Sequence, residues 1–401
     1  MSFKSYKLGE IYSFSSGLSK SRDEFGFGYP FVTFKDVFYN YFIPEQLTEL
    51  ANTTEKERQN CSVKRGDVFL TRTSETLHEL GQSAVALKDY PNAAFNGFSK
   101  RLRPNNNVEI HPEYIGYYFR SPRFRAEITS MAVMTTRASL NNEIMSRLKV
   151  EIPPIEEQKA IAKILSDLDN KIEVNNKINQ RLEDMAQSIF KHWFVDFEFP
   201  DDEGKSYKSS GGEMVESELG MIPKGWEVVR FGEISTVASG KRPKNKSKEK
   251  TDECFIPLIG ASSIMGYVND VLYDEQILII GRVGTHGVVQ RVYYKSWPSD
   301  NTLVIKSKFY EYIYQILNLI DYKGLNVGST QPLITQTDIK NIEVLLPTNE
   351  NLNRFELVVG SLFNNIKKNN IENEKLSNLR DTLLSKLMSG EIRVGIDKIN
   401  D

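Results

Sequence analysis

Residues 7–17, KLGEIYSFSSG, return as residues 230–240, RFGEISTVASG, and no other feature limits the fold of this chain so tightly. Gly9, Glu10, Ile11, Ser16 and Gly17 recur at one constant offset. A second block, MSRLKVEIP at 145–153, aligns with IKNIEVLLP at 339–347, and its register runs on through the segment that follows. The interval between the blocks is about 29 residues shorter in the second copy, so each copy keeps its ends and changes its middle. Two copies are too few for a solenoid, whose units bury a core only by stacking on several neighbours. The pattern predicts two related globular domains, each followed by a helix.

A length of 401 residues agrees, because it exceeds one ordinary core. The runs YPFVTF, GDVFLT, SAVAL, QILIIG and GVVQRVYY are strand-like, rich in Val, Ile and aromatics and bounded by Gly and turn residues. Residues 111–128 and 309–320 carry apolar side chains three and four apart and predict helices. Each domain therefore mixes α and β structure. Residues 199–226, rich in Gly and Ser with no sustained apolar period, predict a linker. MSFKSYKLGE offers no signal-peptide run, and QILII at 276–280 is far too short to cross a bilayer. Cys61 and Cys254 have no paired spacing, which fits a reducing cytoplasm and argues against structural zinc or a disulfide frame.

After Pro154, apolar residues recur at Ile161, Leu165, Leu168 and Ile172, then at Leu182, Ala186, Ile189 and Trp193. Steps of four and three are the seam of a coiled coil. Asn175 and Asn179 fill the central positions, and the second copy interrupts its own seam at the same place with Asn369 and Asn373. One reading is an exposed, inherited polar stretch. The sharper one is an antiparallel helix pair with Asn175 near Asn373 and Asn179 near Asn369, the polar pairs fixing register at some loss of stability. A helix over 155–194 would be about 60 Å long at roughly 1.5 Å per residue.

The double proline of EIPPIEEQ could belong to an adenine-methyltransferase motif or to the entry of that helix. Such a motif needs an Asp or Asn before the prolines and an aromatic after them, and here Ile152 and Ile155 flank the pair. Proline suits a first helical turn, and Glu156 and Glu157 suit the positive end of the helix dipole. The second copy keeps one proline and a glutamate, Glu350, but has Asn351 and Leu352 for Glu157 and Gln158. The prolines are architecture. No phosphate loop or His-Glu-x-x-His zinc helix occurs, and GRVGTHG at 281–287 has the wrong spacing for a dinucleotide loop. His192 and Asp196 stand four apart without a third convergent ligand, which favours a pair closing the helix over a metal site. Catalysis by this chain alone is not expected, and neither is a metal.

Binding remains. The net charge of −2 does not announce a nucleic-acid partner, but the local distribution does. SGKRPKNKSKEK at 239–250 holds six basic residues against one acid, Lys241, Arg242, Lys244 and Lys246 among them. A solvated loop is the plain reading and phosphate contact the functional one. Residues 95–150 are also basic, with Lys100 and Arg101 as candidates, and Lys20 and Arg22 follow the first repeated block. Base edges are read by Arg, Asn, Gln, Ser or Thr on loops. Candidates are Arg72, Thr73 and Ser74 after GDVFLT, Arg282, Thr285 and His286 after QILIIG, and the matched loops at Thr136–Arg137 and Thr330–Gln331.

Taken together, IPPIEEQKAIAKILSDLDNKIEVNN, KHWFVDFEF, SELGMIPKGWEVVRFGEI and the duplication over nearly the whole chain resemble the specificity subunits of type I restriction–modification systems. The second helix departs from the usual form by lacking the Glu-Gln after its proline. The resemblance implies an α+β fold: target-recognition domains at 1–152 and 223–346, a linker at 199–222, and spacer helices at 153–198 and 347–395. The helices would form an antiparallel coiled coil with pseudo-two-fold symmetry. It implies a non-catalytic, cytoplasmic subunit whose domains each read one half of a bipartite site on double-stranded DNA. The coil would set the unread gap and dock two methyltransferase subunits, with restriction/translocase subunits joining them and no membrane involved. No cofactor is expected on this chain; S-adenosylmethionine, ATP and magnesium are expected on the partners. Because the two middles differ, the half-sites should differ. The rival from another class is a scaffold whose paired coils join two protein-binding domains.

Overall fold

The repeated blocks lie far apart in sequence because they pair with each other in space. Strand Lys4–Lys7 runs antiparallel to Lys149–Ile152, from Lys4 opposite Ile152 to Lys7 opposite Lys149. Leu8 N then donates to Leu148 O at 2.9 Å. A single helical turn, Leu8–Ile11, follows, with Glu10 accepting from Lys7 N at 2.9 Å. The second copy repeats each step. Glu227–Arg230 pairs with Glu343–Leu346, Phe231 N donates to Ile342 O at 2.8 Å, and Glu233 accepts from Arg230 N at 2.8 Å. The ends of each copy thus form a clasp at the root of the long helix, and only the middle is free to vary.

The computed structural model describes residues 3–395 apart from Glu75, Leu77, His78, Ala132, 135–137, 284–286, Lys323 and 325–332, with backbone alone at 133, 134, 138 and 139. The chain divides into two compact units, one of Met1–Asn175 with Ile371–Asp401 and one of Asn176–Asn370.

In the first unit a four-stranded antiparallel sheet has the order Tyr12–Ser16, Ser99–Pro104, Val68–Thr71, Ser83–Val85. A smaller mixed sheet joins Leu50–Ala51, Phe25–Val32 and Ala94–Phe95, the last pair parallel. The second unit has the same two sheets: Thr236–Ser239, Thr302–Lys306, Ile277–Gly281, Val289–Val292, and Ile264–Val268, Ile256–Ile259, Trp297–Pro298. The helix expected over 111–128 is two, Pro112–Arg120 and Pro122–Met131. Proline cannot donate into a continuing helix and pushes the preceding residue out of the helical region, and Ser121 is extended at ψ 148°.

The long helices are Ile155–Phe190 and Asn349–Ser389. Pro154 stands just outside the first, its carbonyl accepting from Glu157 N and Gln158 N at 3.0 Å each. Each unit takes the start of its own helix and the end of the other. The first core packs Tyr114, Tyr117 and Phe119 with Ile161 and Leu165, and closes with Leu384, Leu387 and Met388. The second packs Tyr312, Leu352, Phe355 and Val359 with Ala186, Phe190 and Phe194. Contacts within the first unit run Glu157 to Arg393, Asp169 to Arg380 and Asn175 to Asn373, so the two helical segments are antiparallel there. In the second unit Asn179 meets Asn369 and Phe190 meets Phe355, again antiparallel. The Asn175–Asn373 contact recurs as Asn369–Asn179, with the roles of the helices exchanged.

The segment read as a linker is folded. Phe199, Ile222 and Trp226 are buried in the second core. The Phe199 ring stacks on Tyr207 at 4.5 Å and on Trp226 at 5.1 Å, and Met214–Ser217 pairs with Gly220–Pro223. Periodicity could not show this, because the aromatics that anchor the segment are few and widely spaced. Among the described residues no helix is long and apolar enough to cross a membrane.

Candidate nucleic-acid interface

The varied middles share one hydrogen-bonded frame. In the first unit the strand Val68–Thr71 ends at Arg72, whose N–H donates to Phe98 O at 3.0 Å and whose carbonyl accepts from Leu140 N at 2.9 Å. In the second, Ile277–Gly281 ends at Arg282, whose N–H donates to Asn301 O and whose carbonyl accepts from Ile334 N, both at 3.0 Å. Phe98 and Asn301 sit on matching turns. Asn96 N donates to Val32 O at 3.0 Å and Ser99 N to Asn96 O at 3.2 Å, while Ser299 N donates to Ile259 O at 2.9 Å and Thr302 N to Ser299 O at 3.1 Å.

The repeated Ser-Gly pairs bear on these turns. A Cβ on Gly17 would stand 2.1 Å from Asn96 O, and one on Gly240 2.1 Å from Ser299 O, so only glycine lets the strand pass. Beside them, Ser16 accepts from Lys100 Nζ at 2.7 Å and Ser239 from Arg282 at 3.4 Å. The Nε atoms of Arg72 and Arg282 are both buried with no partner among the described residues. Each arginine is thus seated at its root at the end of a central strand; Thr73 and Ser74, expected on a loop, form a second short strand antiparallel to Ala138–Ser139.

The candidate residues fall into three sets. The cations of the basic loop are open to solvent: Lys241, Arg242, Lys244 and Lys246 are exposed, and none forms an ion pair among the described residues. The start of this loop is tied to the Ser299 turn through Lys241 N donating to Pro298 O at 2.9 Å, and Trp297 Nε1 donates to Lys241 O at 2.7 Å. Arg22 is exposed on a single 3-10 turn, Arg22–Glu24. Arg72, Thr73, Ser74 and Arg282 are half-buried at the frame, with Ser74 Oγ donating to Glu79 at 2.9 Å.

The second set turns inward. Lys100 and Arg101 are only 8% and 6% exposed. Arg101 donates to Asn60 O, Ser62 O and Ser15 Oγ, so its guanidinium is committed to the domain's own backbone. Burial pushes the Lys100 ammonium below its ordinary value, and Arg72 adds to the effect. Lys20 bridges Glu24 and Glu57 at 3.1 and 3.0 Å with 8% of its side chain exposed. These three carry structure rather than an open positive face. Thr136, Arg137, Thr285, His286, Thr330 and Gln331 form the third set and lie outside the described residues.

At the seam, Asn175 donates to Asn373 Oδ1 at 2.9 Å and to Glu372 at 2.7 Å, and is only 1% exposed. Asn369 donates to Asn179 Oδ1 at 2.8 Å, and Asn179 donates to Asn370 at 2.8 Å. The residues at the first helix entry are equally structural. Gln158 accepts from His111 N at 2.8 Å and donates to Pro153 O at 2.9 Å, and Glu157 takes both arms of Arg393 at 2.6 Å. Asp196 pairs with Lys191 at 2.7 Å, not with His192, so the expected His192–Asp196 closure is replaced by a lysine contact. No cluster of metal-ligating side chains occurs among the described residues. The arrangement can bind an anion or a base edge.

Comparison with known proteins finds similarity over most of the chain. The family model described as type I restriction modification DNA specificity domain matches twice, at residues 2–184 and 223–380. The MjaIX specificity subunit of Methanocaldococcus jannaschii is 28% identical over 96% of this chain and 92% of its own length. The HindI specificity subunit of Haemophilus influenzae is 26% identical over 97% and 99%. Among solved structures, the type I restriction–modification S subunit from M. genitalium is similar over 96% of each chain, with a TM-score of 0.57 at 14% identity.

Proposed function

Since this chain belongs to the family of type I restriction modification DNA specificity domains, we propose that its two domains read the two halves of one bipartite DNA site. It is a DNA-recognition subunit, and catalysis belongs to the subunits it assembles with. The observation that carries the reading is the repeated frame. Both middles present an arginine at the end of a central strand and a turn beside it, and they differ in the residues shown there. One scaffold with two unlike tips suits two unlike half-sites. Phosphate contacts come from exposed cations such as Lys244 and Lys246, and base contacts from the segments that leave Arg72 and Arg282.

In this reading the partners are double-stranded DNA, two methyltransferase subunits and restriction/translocase subunits. S-adenosylmethionine, ATP and magnesium act on those partners, and the modification is adenine methylation. The paired helices set the number of unread base pairs. The exposed apolar side chains Val174, Ile178, Met185, Ile371 and Leu379 on those helices suit docking of the methyltransferases. Methylome sequencing of the host with and without this gene tests the assignment. A gene-dependent motif of two unlike halves around a fixed gap is expected; a palindromic motif, or no gene-dependent methylation, would refute it.

A further inference from the structure

Phe98 and Asn301 were not marked by sequence, yet the structure puts them at the same place in the two domains. Each contributes the carbonyl that fixes the arginine at the strand end, and each follows a turn whose first residue bonds back to the smaller sheet. Each turn is passed at its base by a glycine that no other residue could replace. In the first domain the turn is stiffened further. Asn96 is buried, donates through Nδ2 to Val32 O at 3.1 Å, and accepts from Phe98 N at 3.0 Å and Ser99 Oγ at 3.3 Å.

What this rigid base holds up is an aromatic ring that is 63% exposed. A bulky apolar side chain left in water on a locked turn gains nothing for the fold, since burial is what stabilises it. In the second domain the same position is an exposed asparagine, with no side-chain hydrogen bond to any described residue. The backbone is held alike and the side chains are opposite in chemistry. Packing does not demand that difference, because both side chains point to solvent. A difference in what they touch does.

We propose that Phe98 and Asn301 are matched specificity residues, Phe98 making apolar contact with a thymine methyl in one half-site and Asn301 pairing with an adenine edge in the other. The chemistry follows from the major groove. The thymine methyl accepts apolar neighbours, and an amide matches the acceptor and donor of adenine N7 and N6. The rigid turn matters because a contact worth little on its own is not then offset by ordering the loop on binding. The proposal rests on the DNA-reading assignment above and assigns one position within each half-site.

The assembled methyltransferase complex is assayed for binding to duplexes of its own methylation motif. Each thymine of the first half-site is replaced in turn by uracil, which removes only the methyl. Each adenine of the second is replaced by 7-deazaadenine, which removes only N7. Wild-type binding should weaken roughly fourfold at one thymine, the share of one buried methyl group, and roughly tenfold at one adenine. Phe98→Ala should abolish the uracil effect alone, Asn301→Ala the deazaadenine effect alone, and Phe98→Leu should retain the uracil effect. Unaltered sensitivity in the alanine variants overturns the proposal, as does weakening that is uniform across all positions. If the wild-type complex shows no preference for its motif, the DNA-reading assignment itself fails, and the two failures are thereby separate.

Discussion

Replacing Asn175 separates stability from register at the coiled-coil seam. Its amide is enclosed and donates to Asn373 at 2.9 Å and to Glu372 at 2.7 Å. Glu372 sits at the solvent edge with Lys171 beside it at 3.4 Å, so its share is set to zero. In Asn175→Ala, loss of the amide–amide bond removes about 1 kcal/mol. Lost packing removes about 1 kcal/mol more, and alanine's better helix propensity returns roughly 0.6 kcal/mol. The net of about 1.4 kcal/mol is roughly tenfold in local opening. Asn175→Leu loses the same bond but adds apolar burial of about 2 kcal/mol, so it should equal or exceed wild type. Amide hydrogen exchange over 160–175 and 371–385 in the purified chain reads both. Protection should fall roughly tenfold in the alanine variant and be unchanged or raised in the leucine variant. A leucine variant as unprotected as the alanine one would show that position 175 does not face an apolar seam.

Three other perturbations probe charge. Substituting Lys244 and Lys246 by Ala should weaken DNA binding across all sequences and reduce the salt slope by about 0.9 for each phosphate no longer neutralised; a change confined to one base position would show that they read sequence. Lys20→Ala, by contrast, should lower thermal stability and leave the salt slope alone, because this lysine bridges Glu24 and Glu57; a flattened slope would return it to the interface. Glu356 offers a pH test. Burial pushes its carboxyl up to about 7, although Glu311 N and Tyr312 N donate to it at 3.0 and 2.9 Å. A raised acid means that the folded state holds a proton the unfolded state has released. Stability should therefore fall as pH rises from the ordinary carboxylate value to about 7 and level off above, by roughly 3 kcal/mol in all. Trp193, Trp226 and Trp297 all lie in the second unit, so tryptophan fluorescence in urea at pH 5 and pH 8 reports its unfolding. Glu356→Gln should flatten the difference, and an unchanged slope would place the titration elsewhere.

Local and repeated signals carried the fold. Steps of four and three gave the helices, and the duplicated blocks gave the clasps, because both are written in neighbouring residues. The Asn pairs followed from matching one copy against the other. Long-range burial was not legible. Lys100 and Arg101 stand in SKRLRP, where basic residues suggest an open strand, but their partners Ser15, Ser16, Asn60 and Ser62 are remote in sequence. The folded linker depends likewise on aromatics scattered from Phe199 to Trp226. Phe98 and Asn301 carried no signal of their own. Only the repeated glycines, whose partners are their turns, could have pointed to them.

The partition of the chain also dictates an order of assembly on the ribosome. The second unit is one continuous stretch, Asn176–Asn370, whereas the first is Met1–Asn175 completed by Ile371–Asp401. Nascent chains ordinarily finish their first-made domain first. Here the second-made unit has all its residues while the first still lacks Leu384, Leu387 and Met388. At about 1.5–3 kcal/mol for each such side chain, the missing strip is worth roughly 4–9 kcal/mol, a large part of a domain's whole stability. The first unit therefore waits, with Ile161 and Leu165 uncovered, until Leu384, Leu387 and Met388 have been made. A chain truncated after residue 370 and released would display a finished second domain and a protease-sensitive first one.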